Sequence, residues 1–473
     1  MIFLERDNKE SLYMQIYHQV RKDIISGTIK EGDVLAGSRG LARTLNISRN
    51  TVDNAYSQLL AEGYIIPQRG VGYIVAPLPE LKNNQLREVQ EYTKREISGN
   101  ITTPEDDVIY DLTNGSHTND LFPKTLWRRY TLECLEMLDK ENKLSSHLDR
   151  QGESYLRCNL LSYLQRIRGV YCSKEQIIIT CGIQQSLDFI CNLLSNKNAK
   201  VLMEEPGYHK ATAVFRNNGL KIQTVSIDKN GIIVSKLPNL LENSAIYSTP
   251  SHQFPTGVTM PISRRFELLE WANSNNAYVL EDDFDSELRY YAKPIPSLQS
   301  IDTNSRVIYL GTFSKALSPA LRMGYMILPP QLLEIYLNKF RDYNSTAPVL
   351  NQYVIARLIE TGEYDRHIRR LNHIFRKRLE CFLKEFSDVN KKIEISGNGS
   401  GQYFLLKFSP ASDQAQLISQ ALKYGVRVYS TMQFWQEKAA CPPNTLFLGF
   451  SKINIEDIPD CVRRLKLAWA EWL

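Results

Sequence analysis

Strand-like and helical runs alternate through most of this 473-residue chain, and this alternation restricts the possible folds more than any other feature of the sequence. Short apolar runs rich in Val, Ile and Leu recur at intervals, and amphipathic stretches separate them. The pattern is typical of an α/β domain in which helices cover both faces of a mostly parallel sheet. The predicted strands are 176–180, 201–203, 222–226, 246–248, 278–280, 307–310 and 325–328.

After Pro329 and Pro330 the pattern changes, and helical stretches lead to two further strand-like runs, 403–408 and 445–450. We interpret this part as a smaller C-terminal α+β lobe that belongs to the same domain. The sequence contains no internal repeat that would favour a solenoid or a propeller instead.

The first 77 residues have the pattern of a winged helix-turn-helix. An apolar stripe at four-residue steps predicts a helix over 11–27, and two short helical patterns follow, with Ser38 and Ser48 as their expected N-caps. Two strand-like runs, 64–66 and 73–75, flank a turn-rich loop as the strands of a wing do. The apolar residues expected to face inward from the short helices are Leu41, Leu45, Val52, Tyr56, Leu59 and Leu60.

Between these two parts the sequence becomes polar and charged and loses its apolar period. Such a composition offers no face that can dock firmly against a core, so we predict a linker. The predicted organisation is a winged helix over 1–77, a linker over 78–107 and the α/β domain over 108–473.

The formal net charge is only +5, so contact with a nucleic acid has to come from the local placement of basic residues. Eight cysteines are scattered without a C-x-x-C pair or a Cys/His cluster, which predicts reduced thiols and no metal site. The N-terminus has no secretory pattern, and no apolar run reaches the roughly 18 residues of a membrane span. We therefore expect a cytoplasmic protein without a membrane partner.

Basic residues concentrate where a winged helix would meet double-stranded DNA. Only Asp53 and Glu62 are acidic between residues 34 and 77. Recognition helices enter the major groove with their N-terminal end, so Asn50 and Thr51 can reach base edges there. A winged helix that contacts protein is the alternative. The expected DNA-binding residues are Arg39, Arg43, Ser48, Arg49, Asn50, Thr51, Arg69 and Gly70.

A lysine follows the predicted strand 307–310 in a setting that suits a phosphorylated aldehyde. Lys315 can form a Schiff base. The hydroxyl groups of Thr312 and Ser314 and the guanidinium of Arg322 can hold a phosphate ester beside that amine. These are the requirements of pyridoxal phosphate, so we predict this cofactor.

Residues that follow other predicted strands can serve the same ligand, because ligands of open α/β sheets collect at the carboxyl ends of strands. Gly182 and Ile183 open a helix and would present backbone N–H groups to a phosphate. Asp282 can pair with a protonated pyridine nitrogen, and Tyr208 can lie over an aromatic ring. The turn-rich loop 249–257 can line the pocket. Each residue alone has an ordinary structural interpretation, and their shared position after strands favours a site.

On these residues the chain resembles the MocR subfamily of the GntR family of bacterial regulators, whose members fuse a winged helix to a fold-type-I aminotransferase-like domain. The resemblance covers nearly the whole chain. The segments that carry it are 38–42 (SRGLA), 47–52 (ISRNTV), 61–64 (AEGY), 204–208 (EEPGY), 249–257 (TPSHQFPTG), 281–285 (EDDFD) and 311–315 (GTFSK).

The resemblance implies a role for each candidate residue. Lys315 would form the internal aldimine, Asp282 would pair with the pyridine nitrogen, and Tyr208 would stack on the ring. The phosphate anchor would comprise Thr312, Ser314, Arg322 and the turn at Gly182. The family also implies head-to-tail homodimers in which each winged helix packs near the partner's large domain, so operators with two half-sites are expected.

Three positions depart from the patterns of related proteins. Phe284 replaces a tyrosine that can hydrogen-bond the cofactor's phenolic oxygen. Phe447 replaces the arginine with which similar aminotransferases clamp a substrate carboxylate, a loss expected to weaken amino-acid binding by on the order of a few kcal/mol. Gln433 replaces an arginine of GABA-responsive members, which argues against GABA as effector. Lys210 and Arg427 remain candidate partners for an anion.

We therefore predict a pyridoxal-phosphate-dependent transcriptional regulator that senses an amino compound, or the cofactor itself, through an aldimine at Lys315. One alternative is an active aminotransferase with an accessory DNA-binding domain, and Phe447 argues for at most residual turnover. Another is a DNA-binding protein whose large domain has lost its cofactor and only dimerises, against which Lys315, Asp282 and Arg322 argue. The effector, the operator and the sign of regulation stay open at this point.

Overall fold

The structure is a computed structural model that describes residues 2–5, 10–77, 108–115, 121–144, 149–194, 199–239, 244–291, 295–397 and 399–473. The chain forms two compact units, Met1–Thr102 and Thr103–Leu473. The predicted linker, 78–107, lies outside the described residues. In the described part of the chain, no helix combines the length and apolar character needed to cross a membrane.

The first unit is the winged helix-turn-helix that the sequence predicts. Its two strands pair antiparallel, with Ile65 opposite Val75 and Gln68 opposite Gly72, and the turn between them forms the tip of the wing. The elements of this unit are α1 Leu12–Ile25, α2 Ser38–Leu45, α3 Arg49–Ala61, β1 Ile65–Gln68 and β2 Gly72–Val75.

The core of this unit contains apolar residues from all three helices and both strands. On α3 the buried positions are Val52, Ala55, Tyr56 and Leu59, which follow the spacing of one helical face. The prediction that Leu60 also faces inward is wrong, because it is 36% exposed. Successive helical residues differ by about 100°, so Leu60 cannot share the face that Leu59 occupies.

One of the two predicted N-caps is also wrong. Gly37 occupies the N-cap of α2, so Ser38 is already the first helical residue and its hydroxyl makes no capping bond there. Ser48 caps α3 as predicted, since its hydroxyl accepts a hydrogen bond from the backbone N–H of Thr51 at 3.2 Å. On α2 only Ala42 is fully buried, whereas Leu41 and Leu45 are half-buried against the core.

The second unit contains ten helices and fourteen strands among its described residues. The helices are α4 Lys124–Lys140, α5 Ser154–Arg168, α6 Ile183–Leu193, α7 His209–Asn217, α8 Ile262–Ser274, α9 Pro330–Lys339, α10 Val349–Glu360, α11 Glu363–Glu385, α12 Gln414–Lys423 and α13 Ile458–Ala468. The strands are β3 Tyr110–Asp111, β4 Ile177–Thr180, β5 Lys200–Glu205, β6 Lys221–Asp228, β7 Gly231–Ile232, β8 Ala245–Ser248, β9 Tyr278–Asp282, β10 Val307–Thr312, β11 Gly324–Ile327, β12 Glu394–Ser396, β13 Tyr403–Lys407, β14 Val426–Arg427, β15 Tyr429–Ser430 and β16 Thr445–Gly449.

An eight-stranded sheet forms the centre of this unit, with strand order β4-β11-β10-β9-β8-β5-β6-β7. All seven predicted strands are present, and the pairs from β10 through β6 are parallel. β11 runs antiparallel to both neighbours because a short connection, and not a crossover helix, joins it to β10. The prediction of a mostly parallel sheet is confirmed.

Helices cover both faces of this sheet, and the strands alternate between the two cores. Along β4, Ile177 and Ile179 enter one apolar cluster together with α4, α5 and α10. The intervening Ile178 enters the opposite cluster, to which α6, α7 and α9 contribute. The run 177–179 is therefore continuously apolar because both faces of β4 are buried.

The C-terminal lobe contains a four-stranded antiparallel sheet with order β12-β13-β16-β15. Its core includes residues of α11, α12 and α13. A short parallel pair between β14 and β3 joins the start of the described second unit to this lobe. The predicted strands 403–408 and 445–450 correspond to β13 and β16.

Adjacent leucines on α3 allow a matched test of the winged-helix core. Leu59 is fully buried and Leu60 is exposed. We expect Leu59→Ala to lower the free energy of opening of this unit by about 2–5 kcal/mol, because it leaves a cavity. Leu60→Ala should cost about 0.5 kcal/mol or less. Hydrogen exchange of α1 and α3 amides in the full-length protein measures both, and equal losses would contradict this packing.

Candidate functional site

A cavity of about 400 Å³ lies at the carboxyl ends of the central strands. The eight residues predicted to bind the cofactor all line it, although they come from five separate parts of the chain. They are Gly182, Ile183, Tyr208, Asp282, Thr312, Ser314, Lys315 and Arg322.

Lys315 lies in the connection between β10 and β11 and is half-buried at the cavity. Burial lowers the pKa of its amine to about 8, while the negative charges of Asp285 and Asp282 act in the opposite direction. A lysine with such a pKa has a substantial neutral fraction near physiological pH. Lys315 can therefore act as a nucleophile toward a carbonyl carbon.

Asp282 ends β9 and is 3% exposed. The Tyr247 hydroxyl donates a hydrogen bond to its Oδ2, whereas its Oδ1 is buried without a hydrogen-bond partner. Burial raises the pKa of Asp282 to about 7, and the bond from Tyr247 and the charge of Lys315 oppose that rise. A buried carboxylate oxygen without a partner is costly, so this atom suits a cationic N–H that a ligand would bring.

The other acidic residues of segment 281–285 are satisfied within the protein. Glu281 accepts two backbone N–H bonds, at 2.6 and 2.9 Å. Asp283 forms a buried ion pair with Arg168 at 2.7 Å, and Asp285 lies 2.7 Å from Nδ1 of His252. Within this segment Asp282 thus has the carboxylate that lines the cavity and retains an unsatisfied oxygen.

Two hydroxyl groups, one guanidinium and a helix N-terminus form a cradle for an anion. Gly182 is the N-cap of α6 with φ 96°, and a Cβ there would lie 3.3 Å from the Arg322 guanidinium. Arg322 donates to the carbonyl oxygen of Cys181 at 2.9 Å, and Thr312 donates to Ser314 Oγ at 3.1 Å. The free N–H groups of the first turn of a helix and the arginine fork both favour a phosphate group.

Aromatic side chains form another wall of the cavity. Tyr208, the N-cap residue of α7, packs edge-on against Phe254 with ring centroids 5.7 Å apart. Phe254 also lies 4.9 Å from Phe434 and 5.9 Å from Phe284. Phe447, on β16, is 3% exposed and lies 5.1 Å from Phe434. Burial raises the pKa of Tyr208 to about 12, so its hydroxyl stays neutral at physiological pH.

The aromatic wall is attached to the central sheet by backbone hydrogen bonds. The N–H of Gly207, which follows β5, donates to the carbonyl oxygen of Phe434 at 2.9 Å. The Glu205 carboxylate, at the end of β5, accepts the N–H groups of Gln436 and Glu437 at 2.7 and 2.9 Å. Segment 431–437 is thereby fixed to the end of β5.

Five further positions bear on the sequence predictions. Lys210 and Gln433 line the cavity and are exposed. Arg427 lies on β14 and is not among the described lining residues. Phe284 and Phe447 both line the cavity, so neither a tyrosine hydroxyl nor an arginine is present at these positions.

Two residues that support the site, Tyr247 and Arg168, are not predicted from the sequence. Tyr247 lies opposite Leu280 on the neighbouring parallel strand, two residues before Asp282, and side chains two residues apart share a face. The strand order would have revealed this pair. Arg168, at the end of α5, is 115 residues away from Asp283 in the sequence, and no local pattern connects them.

In the first unit the predicted DNA-binding residues lie at the surface. All of them are exposed apart from Thr51, which is half-buried. Arg49 forms an ion pair with Asp53 at 3.2 Å, and the Glu62 carboxylate accepts a hydrogen bond from the Tyr17 hydroxyl. Asn54 and Ser57 continue the exposed face that begins at Asn50, and helical spacing could have identified them.

Known proteins resemble this chain over both units. The family model for aminotransferases of class I and II matches residues 118–443, and that for bacterial regulatory proteins of the gntR family matches residues 12–75. The chain is 34% identical over 477 residues to the uncharacterized HTH-type transcriptional regulator YhdI of Bacillus subtilis strain 168, covering 99% of this chain and 98% of that protein.

A further relative is a regulatory protein, and a similar solved structure is an aminotransferase. The probable rhizopine catabolism regulatory protein MocR of Rhizobium meliloti is 29% identical over 491 residues, covering 99% of this chain and 96% of that protein. The solved structure of Pyrococcus horikoshii kynurenine aminotransferase, in complex with PMP, KYN and KYA, has a TM-score of 0.69 and 26% identity, covering 83% of this chain and 96% of that chain.

The lowered pKa of Lys315 gives a pH-dependent test of the cavity. Because the pKa is about 8, the neutral, reactive amine should appear as the pH rises through about 8. Exposed lysines should react with a midpoint near 10.4. Competitive acetylation of the ligand-free protein, followed by peptide mass mapping across pH, measures both midpoints in one sample. A midpoint for Lys315 equal to that of the exposed lysines would contradict its burial.

Proposed function

This chain belongs to the MocR subfamily of the GntR family of bacterial regulators, and we propose that its large unit holds pyridoxal phosphate at Lys315. The protein is a DNA-binding transcriptional regulator with an aminotransferase-like domain. We propose further that binding of an amino compound, or of the cofactor itself, changes the population that can bind DNA.

The observation that carries the cofactor proposal is the unsatisfied Asp282 Oδ1 in the same cavity as Lys315 and the anion cradle. A protonated pyridine nitrogen would satisfy that oxygen, and the phosphate would occupy the cradle formed by Arg322, Thr312, Ser314 and the N-terminus of α6. The donors and acceptors available therefore fit the group.

When bound, pyridoxal phosphate supplies an aldehyde that combines with primary amines and a ring that withdraws electrons. The chain's own residues hold and tune it. Lys315 provides the attaching amine, Tyr247 fixes the orientation of the Asp282 carboxylate, and Asp282 keeps a proton on the ring nitrogen. Phe284 offers no hydroxyl to the cavity, so burial and the charges of Asp285, Lys210 and Asp282 determine the pKa of the Lys315 amine.

The cavity is less well suited to catalytic transamination than to ligand sensing. Transamination of amino acids benefits from a bidentate partner for the substrate carboxylate. Phe447 lies among aromatic side chains in the cavity wall and cannot supply one. We infer that turnover is at most residual and that ligand binding itself is the signal.

For DNA recognition we propose that α3 enters the major groove with Arg49, Asn50 and Thr51, while Arg69 and Gly70 bring the wing to the backbone. By family likeness we propose a head-to-tail homodimer, in which two winged helices contact two half-sites of an operator. A function on operator DNA in bacteria accords with a cytoplasmic location.

Replacing Lys315 tests the cofactor proposal directly. The purified protein should carry a visible absorbance band, and borohydride should fix the cofactor on the peptide that contains Lys315. We expect Lys315→Ala to abolish both signals, because Lys210, the other lysine among the described lining residues, is exposed. Lys210→Ala is the matched control, since Lys210 also lines the cavity but is exposed, and it should keep both. A band that survives in Lys315→Ala would refute the assignment.

Replacing Arg49 tests the DNA interface. We expect Arg49→Ala to weaken binding to the protein's own promoter region by about 1–3 kcal/mol and to reduce the salt slope or the base preference. Lys22→Ala is the control, because Lys22 is an exposed cation on α1, outside the predicted contact set. Fluorescence anisotropy at several salt concentrations measures both, and equal effects of the two variants would remove Arg49 from the interface.

A further inference from the structure

A second pocket, of about 630 Å³, lies at the end of β5 in the large unit. Residues of β6, of the loop after β8 and of segment 435–440 complete its lining. Phe434 lines the cavity at Lys315, whereas Glu205 and Trp435 line this second pocket. Among the described residues the two linings share no member, so the second pocket is a separate candidate site, which we call the Glu205 pocket.

Glu205 provides a buried acceptor that the protein itself does not use. The residue is 8% exposed, and its Oε1 accepts the N–H groups of Gln436 and Glu437. The second oxygen, Oε2, is buried without a hydrogen-bond partner. Burial raises the pKa of Glu205, and the two backbone N–H bonds oppose that rise. A buried carboxylate oxygen without a partner is costly, so a donor from outside the chain would stabilise it.

The charges around Glu205 leave a place for a cation. Among the described lining residues the other charged side chains are Asp228, Lys229 and Glu437. Asp228 already forms an ion pair with Arg264 at 3.2 Å. Lys229 and Glu437 are exposed and carry opposite charges, which solvent and salt screen. Of these three lining carboxylates, that of Glu205 is the one that is buried and keeps an oxygen without a partner.

A further cation near the pocket, Lys438, donates to other acceptors. Its ammonium group donates to the carbonyl oxygens of Met432 and Trp435 at 2.8 and 2.7 Å. Its charge lowers the pKa of Glu205, but burial outweighs this effect, and Oε2 still lacks a hydrogen bond. Lys438 is also exposed, so solvent and salt screen its charge. An additional cation with an N–H donor would therefore still stabilise Oε2.

The wall of the Glu205 pocket favours an organic cation over a metal ion. In the part of the chain that the structure describes, no group of three or more His, Cys, Asp and Glu side chains could hold a metal ion. The half-buried Trp435 lines the pocket together with Pro206 and Ile227. A guanidinium is planar and weakly hydrated, so it can stack on an indole ring while it donates to a carboxylate. An alkyl stem would cover the apolar atoms of the wall.

We propose that the Glu205 pocket is a second ligand site, which binds a small, free alkylguanidinium ion. One N–H group of the ion donates to Glu205 Oε2, the planar head lies against Trp435, and the stem contacts Pro206 and Ile227. The proposal does not depend on a cofactor at Lys315. Because the two linings are separate, this ligand binds independently of the cofactor.

A charged and an uncharged analogue test the proposal on the full-length protein. Butylguanidine and butylurea have the same alkyl stem and a planar head with N–H donors, but only butylguanidine is a cation. Isothermal titration calorimetry should show that butylguanidine binds at least about tenfold more tightly than butylurea. Equal affinities, or no measurable binding of butylguanidine, would overturn the proposal.

Two variants that replace glutamate by glutamine locate the cation. Glu205→Gln keeps an amide oxygen for the N–H groups of Gln436 and Glu437 but replaces the unpartnered oxygen by a donor. It should weaken butylguanidine binding by at least about tenfold. Glu437→Gln is the matched control, because Glu437 lines the same pocket but is exposed, and it should change the affinity by less than about threefold. Equal losses would place the cation at the rim and overturn the role of Glu205.

Two further measurements distinguish the Glu205 pocket from other places where the ligand could bind. Asp282→Asn removes a carboxylate of the cavity and should leave the affinity for butylguanidine unchanged. A loss in this variant, with full binding in Glu205→Gln, would place the ligand in the cavity and overturn the proposal. Butylguanidine should also leave the sedimentation coefficient of the protein unchanged. A decrease would show that it displaces an arginine of another copy, and would overturn the assignment of a free ligand.

Discussion

The reversal of the chain between β10 and β11 is the constraint on which the cavity depends. β11 pairs antiparallel with both β10 and β4, so the connection that carries Lys315 and Arg322 returns to the sheet edge from which α6 starts. The backbones approach so closely that a Cβ on Gly324 would lie 2.7 Å from the Cα of Gly182. At this contact the Arg322 guanidinium lies against the N-terminus of α6. Lys315 lies between these two groups and the acidic end of β9.

Buried charge is the second organising feature of the large unit. The carboxyl groups of Glu281, Asp283 and Asp285 each have a hydrogen-bond or ion-pair partner within the fold, as buried charges require. Burial alone would raise the pKa of Asp283, but the Arg168 guanidinium holds this pKa below its usual range. Asp282 alone in this segment departs from that rule, and such departures concentrate at functional sites.

Much of this architecture could be predicted from the sequence because it rests on local patterns. Doubly buried strands appear as continuous apolar runs, and the residues that follow them, such as Lys315 and Asp282, can be identified directly in the sequence. Single positions at helix starts are less certain, as Ser38 shows, because a shift of one residue moves the N-cap to Gly37. The prediction that Leu60 faces inward is wrong because only the packed helix decides which of two adjacent leucines faces the core.

Contacts between distant segments could not be predicted in the same way. Tyr247 becomes relevant only when β8 and β9 are known to be neighbours, and the Arg168–Asp283 pair joins positions 115 residues apart. The aromatic wall likewise combines the loop after β8 with β16 and the segment after β15. Tertiary folding brings these residues together, and the periodicity of the sequence does not indicate such long-range contacts.

The bond from Gly207 to the carbonyl oxygen of Phe434 has a mechanical consequence. Phe434 belongs to the segment after β15 of the small lobe, while Gly207 leads from β5 of the central sheet into α7. The two Glu205 contacts strengthen the same joint. Any molecule that displaces the Phe434 backbone therefore has to lengthen or break this hydrogen bond between the small lobe and the central sheet.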